Sequence, residues 1–136
     1  MTTRAPRPGE INGQHYNFVS SDQFKAAIEQ NQMLEWATYN SQFYGTPKSS
    51  VCELLNTDKP VLLEIEPQGA FQVKKLFPKA AILIFILPPS LQVLVERLKN
   101  RGTNTPADID RRLTIAQQEL AQKDQFDCQL VNDDLS

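Results

Sequence analysis

Two apolar runs, Val61 to Ile65 and Ile82 to Leu87, constrain this chain more than any other feature. Each has the length of a strand, and each closes on proline, at Pro67 and at Pro88-Pro89. Neither run alternates apolar with polar residues regularly, so a strand built from it needs cover on both faces. Helical patterns follow them: Gln68 to Phe77, then Ser90 to Arg101, then Thr105 to about Lys123. Cys128 to Val131 reads as a last short strand. Apolar strands alternating with helices predict a parallel sheet of α/β type.

Composition bounds the rest. A chain of 136 residues makes one domain, or one main domain with a small lobe. Its net charge of -2 argues against a general binder of nucleic acid or acidic membrane. The longest apolar run, Ala80 to Leu87, falls far short of the roughly 20 residues that span a bilayer. No charged-then-apolar leader opens the sequence, so no secretion signal is expected. Two distant cysteines, Cys52 and Cys128, make no disulfide framework and fit a reducing, cytoplasmic setting. Cys52 is expected to serve packing and Cys128 to be the small member of a buried strand. His15 has no Cys or His partner at ligand spacing, so no metal site is expected.

The first part of the chain is more polar and aromatic. Thr2 to Gly9 reads as extended loop, Asn12-Gly13 as a tight turn, and His15 to Val19 as a strand. Ser20 and Gln23 have capping-box spacing ahead of Phe24, Ala27 and Ile28, predicting a helix that ends near Asn31. Leu34 to Tyr39 and Gln42 to Thr46 read as short strands, and Ser49 to Asn56 as a short helix. Trp36 and Phe43 are expected in the core of this lobe. Thr105, Pro106 and Asp108 suit the start of the long helix, and Gly102 suits the end of the one before it.

The densest chemistry lies in Thr2-Thr3-Arg4-Ala5-Pro6-Arg7-Pro8-Gly9-Glu10, followed by Tyr16. Two arginines on a proline-stiffened loop lose little freedom when they grip a ligand, and a guanidinium fork matches phosphate or carboxylate at two points. Glu10 can orient one arginine, and Tyr16 offers a hydroxyl to the same anion. A solvated basic loop paired with Glu10 explains the spacing equally well. Glu35 on its own reads as a strand acid facing water. Arg97 and Arg101, four apart on one helix, repel slightly unless a polyanion lies between them.

The pattern Thr-Thr-Arg-x-x-Arg-x-x-Glu-x-x-Gly-x-x-Tyr-x-Phe-Val resembles the signature of the guanylate kinase family. The likeness continues through Leu34-Glu35-Trp36-Ala37, Tyr44-Gly45-Thr46-Pro47, Leu63-Glu64-Ile65-Glu66-Pro67-Gln68-Gly69-Ala70 and Ile84-Phe85-Ile86-Leu87-Pro88-Pro89-Ser90. It closes with Arg97-Leu98, Arg101-Gly102-Thr103, Arg111-Arg112-Leu113 and Val131-Asn132-Asp133-Asp134-Leu135. This resemblance implies that Arg4, Arg7, Tyr16 and Tyr44 hold the phosphate of GMP and that Glu10 supports the clamp. It implies that Glu35 reads guanine together with Thr46, beside Gly45, and with the acid Glu64. It implies that Arg97, Arg101 and Arg112 belong to a mobile lid that closes over the transferring phosphoryl group, with Asn132 near the adenine of ATP. The implied reaction converts ATP and GMP to ADP and GDP with Mg2+, by positioning and charge neutralisation.

No segment matches the family's phosphate loop, Gly-x-x-x-x-Gly-Lys-[Ser/Thr], which carries ATP phosphates and Mg2+. The expected fold is therefore a P-loop-kinase-type parallel α/β sheet lacking its first strand, with a small mixed α+β GMP-binding lobe. The lobe would span about 3–47, the core 48–96 and 124–136, and the lid about 97–123. In that fold the absent strand separates Val61–Ile65 from Ile82–Leu87, so both are left with unpaired edges that favour self-association. GMP binding without turnover by the isolated chain is the expectation. A GMP-binding relative without catalysis, or a protein-interaction module on the same fold, are the alternatives. Glu66, where many relatives carry Asp, is left without a role.

Overall fold

A computed structural model describes residues 1–57, 59–100 and 105–133. The chain divides into two compact units, Met1–Pro78 and Lys79–Ser136.

In the first unit, helix α1 (Ser21–Glu29) starts as its spacing predicts. Ser20 Oγ accepts from the Gln23 amide at 3.2 Å, and Gln23 Oε1 accepts from the Ser20 amide at 2.9 Å. The helix ends at Asn31, whose φ of 54° is left-handed. The Asn31 and Gln32 amides donate back to the carbonyls of Ile28 and Ala27, which closes a Schellman motif. Strands β1 (Met33–Tyr39) and β2 (Gln42–Pro47) pair antiparallel, with Tyr39 opposite Gln42. Asn40 and Ser41, both at positive φ, make the two-residue turn between them. Helix α2 (Lys48–Leu55) follows directly, and α3 (Pro67–Leu76) begins with proline at its first turn.

Phe24 is fully buried and forms the centre of this unit with Ala27 and Met33. Phe43 stacks on Phe24 at 5.2 Å and meets Trp36 edge-on at 6.0 Å, so both aromatics take the core positions expected of them. Two sequence expectations fail here. His15–Val19 forms no continuous strand; Tyr16 makes a single bridge to Asn12, and Phe18 one to Thr2. Gly13, at φ 81°, lets the chain reverse so tightly that these residues close on one another and leave no run for a ladder. Val61–Ile65 joins no sheet among the described residues. An apolar run takes up strand pairing only where a neighbouring backbone completes its hydrogen bonds, and here Leu62 stands 92% exposed.

In the second unit, β3 (Ile84–Leu87) and β4 (Cys128–Val131) pair in parallel, as predicted, in register from Ile84 opposite Cys128 to Leu87 opposite Val131. Helices α4 (Leu91–Asn100) and α5 (Pro106–Leu120) form the crossover that parallel pairing requires. Thr105 and Asp108 close a capping box at the start of α5. Leu83 and Phe85 are buried, and Phe126 meets Phe85 edge-on at 4.9 Å. Ile84 and Ile86 are instead half exposed, so β3 alternates rather than burying both faces. The cysteines also differ from expectation: Cys52 and Cys128 are both exposed, because α2 turns only Val51 inward and every residue of β4 is open to solvent. Gly102 lies outside the described residues.

Candidate functional site

The arginine loop is anchored before the first arginine. Thr2 is fully buried: its amide donates to the Asn17 carbonyl, its carbonyl accepts from Val19, and its hydroxyl donates to the Phe43 carbonyl at 2.8 Å. Thr3 repeats the link to β2, its amide donating to the Phe43 carbonyl and its hydroxyl accepting from the Phe43 amide. The paired threonines thus tie the loop to both Asn17–Val19 and β2, and so set where Arg4 leaves the lobe.

Arg4 and Glu10 then meet fork to fork, Nη1 donating to Oε2 at 2.8 Å and Nη2 to Oε1 at 2.9 Å. The Arg7 amide also donates to Glu10 Oε2, at 2.6 Å. These bonds, first from Arg4 and then from the Arg7 backbone, hold the Glu10 carboxyl down to about 2. The same pairing pushes the Arg4 guanidinium up from its ordinary value, with a smaller contribution from Tyr44. Arg4 Cζ lies 5.6 Å from the centre of the Tyr16 ring and 5.7 Å from that of Phe18, within cation–π range. Tyr44 meets Tyr16 edge-on at 6.2 Å. Arg4, Arg7, Glu10, Tyr16 and Tyr44 are thereby gathered at one end of the lobe, with the Arg7 side chain exposed.

Glu35 is the chemically unusual residue of the lobe. It is 3% exposed, although it is an acid on a strand. Thr46, directly opposite in the β1–β2 ladder, donates its hydroxyl to Glu35 Oε1 at 2.5 Å. Burial drives the Glu35 carboxyl above its ordinary range, and the Thr46 hydrogen bond offsets part of that rise. Gly45, opposite Trp36, leaves no room for a side chain: a Cβ there would come within 2.7 Å of the Glu35 carbonyl oxygen. Gly69, in the first turn of α3, lies against the carboxylate itself, and a Cβ there would overlap Oε2 and approach Cδ to 2.9 Å.

Two further acids lie on the stretch leading into α3. Glu64 is exposed, whereas Glu66, just before α3, is the carboxylate whose charge pushes Glu35 further up. Pro67 opens α3 immediately after Glu66.

The residues expected to form a lid, where described, fall in the second unit. Arg97 on α4 donates from Nη1 to the Asn132 carbonyl at 3.0 Å and from Nη2 to that of Asp133 at 3.3 Å. It therefore grips the backbone just beyond β4. Arg112 is half buried on α5, where neighbouring Arg111 approaches Asp108 at 3.7 Å. Asn132 is exposed, and Arg101 lies outside the described residues. Among the described residues no group of three or more His, Cys, Asp or Glu side chains is arranged to hold a metal ion. Among them, too, no helix is long and apolar enough to cross a membrane.

Comparison with known proteins agrees with this geometry. The family described as Guanylate kinase matches residues 1–136. A guanylate kinase of Gloeobacter violaceus is 55% identical over 135 residues, which cover 99% of this chain and 65% of that protein. One of Synechocystis is 51% identical over 134 residues, covering 98% of this chain and 70% of the relative. The crystal structure of guanylate kinase from Anaplasma phagocytophilum superposes with a TM-score of 0.80 at 32% identity, covering 98% of this chain and 64% of that one. The chain thus spans a little under two thirds of the first relative and of the solved structure, and it shares their α/β fold. An arginine loop locked by its own glutamate and a buried carboxylate facing a threonine sit on that shared backbone, and the chain belongs to the guanylate kinase family.

Proposed function

We propose that this chain holds GMP on its first unit, as the acceptor in phosphoryl transfer from ATP. The observation that carries this reading is the buried Glu35 carboxylate, hydrogen-bonded to Thr46 on the lobe that also presents the Arg4–Glu10 pair. An ionised carboxylate only accepts hydrogen bonds, and guanine offers adjacent N1–H and N2–H donors. Adenine has no such pair, so AMP would leave a buried acid unpaired. Thr46 orients the acid, while Arg4, Arg7, Tyr16 and Tyr44 take the phosphate. Glu10 keeps the Arg4 fork fixed before the ligand arrives, so less freedom is lost on binding. Glu64 is the second acid of this reading, and Glu66 adds negative charge that pushes Glu35 slightly further up.

The lobe at about 3–47 would be the acceptor site, and Arg97, Arg101 and Arg112 would neutralise charge on the transferring group. ATP and Mg2+ are the family's co-substrate and metal. No metal-ligand group is found among the described residues, so no step is assigned to Mg2+ on this chain. Calorimetric titration with GMP and AMP tests the reading. GMP is expected to bind, and AMP to bind more weakly by orders of magnitude, as at sites built to hydrogen-bond a particular donor pair. Equal affinities would remove Glu35 as the reader of the base.

A further inference from the structure

The first unit contains one contact that the nucleotide reading leaves unused. Gln72, on the second turn of α3, hydrogen-bonds the backbone of Trp36 with both ends of its side-chain amide. The Trp36 amide donates to Gln72 Oε1 at 3.2 Å, and Gln72 Nε2 donates to the Trp36 carbonyl at 2.6 Å. Nε2 also donates to the Gln68 carbonyl, at 3.2 Å, one turn back on its own helix. In an antiparallel pair, alternate residues turn their backbone groups away from the partner strand. Trp36, opposite Gly45, is such a residue, and Gly45 turns outward in the same way to the Met1 backbone. Gln72 therefore does at Trp36 what a third strand would do, with one side-chain amide in place of a peptide.

Gln72 thus holds the N–H of the Glu35–Trp36 peptide and the carbonyl of the Trp36–Ala37 peptide, the two peptides that flank Trp36 just after Glu35. Three residues earlier on the same helix, Gly69 clears the space that the Glu35 carboxylate fills. One helix face thus fixes the backbone at Trp36, the residue after Glu35, through Gln72 and admits the Glu35 side chain through Gly69. We propose that Gln72 is a positioning residue for base recognition: it sets the Glu35 carboxylate at the depth and angle at which guanine is read. This rests on the proposed function, and it assigns to α3 a specificity that the β1–β2 hairpin would otherwise carry alone.

Gln72→Met tests it, since methionine keeps the length and bulk of the side chain and removes both hydrogen bonds. A misaligned Glu35 loses its hydrogen bonds to guanine, and one hydrogen bond to a charged group corresponds to roughly ten- to a hundredfold in affinity. GMP affinity of the folded variant is expected to fall by about that factor, with AMP affinity unmoved, because the phosphate clamp is untouched. Loss of GMP and AMP binding together would mark a merely structural role and overturn the proposal, as would an unchanged ratio of the two. Gln72→Asn carries the same amide on a stem too short to span the gap, and should lose the GMP preference likewise. If the Gln72→Asn variant retained the full preference, the idea would fail. Amide exchange in the unaltered chain is independent of either variant. GMP should slow exchange at Trp36 and AMP should not, and equal effects would overturn the assignment. Titration of the unaltered chain comes first. Should it show no preference for GMP, the proposed function fails before Gln72 is tested; a preference kept by the Gln72 variants overturns the positioning role alone.

Discussion

At the scale of single residues, two forces hold the candidate site in tension. Glu10 and Arg4 lie at the edge of the lobe and stabilise one another's charged forms; Glu35 lies inside and is pushed toward its neutral form. Each of Arg4→Ala and Arg7→Ala should weaken GMP binding by roughly 1.5–3 kcal/mol, the usual cost of a hydrogen bond to a charged group. Calorimetry on the two variants measures this directly, and unchanged affinity in both would remove the clamp. Gly69→Ala makes a sharper separation. A methyl group there must displace the flexible end of Glu35 rather than any backbone atom. Alanine also favours the helix over glycine by up to about 1 kcal/mol. The variant should therefore unfold at the same or higher urea concentration yet lose its preference for GMP over AMP.

At the scale of elements, the hairpin and its two flanking helices are specified by short-range chemistry. Ser20 caps α1 with reciprocal bonds, and Phe24 four residues later is the fully buried centre of the lobe. Ser20→Ala should cost about 1 kcal/mol, read as a lowered urea midpoint, because it strips one partner from the first-turn amides. These features could be read from spacing: the caps at Ser20 and Thr105, the proline start of α5, and the two lobe strands all fall within two residues of expectation, whereas Pro67, read as closing the apolar run, instead opens α3. The hairpin turn carried less signal, since Asn40-Ser41 lacks the glycine that usually marks two left-handed residues. The run at Val61–Ile65 misled because its composition suits a strand while strand formation depends on a partner backbone.

Across the whole molecule, the carboxylates make opposing contributions to stability as pH changes. The folded-state pKa of Glu10 is lowered from an ordinary 4.5 to about 2. Its contribution is complete above about 4.5 and is lost as pH falls toward 2. Asp108, lowered by its bonds from Thr105, acts in the same direction. Glu35 acts in the opposite sense. Its raised pKa means that the folded chain holds the proton more tightly, so stability declines as pH rises from 4.5 through the raised value. Acidification from neutrality should therefore first raise the urea midpoint and then lower it. Glu35→Gln should abolish the rise and keep the fall. GMP affinity should drop across the window in which stability rises, since guanine requires the ionised acid.

Chain order and spacing specify the helix starts, the hairpin strands, the parallel β3–β4 pair and the arginine loop, because these depend on neighbours a few residues away or on a repeating apolar period. The burial of Glu35, the fit of its carboxylate against Gly69, and the reach of Gln72 to Trp36 arise only when α3 docks on β1. A side chain's solvation and its long-range hydrogen-bond partners belong to the packed surfaces around it, and no local pattern along the chain encodes them.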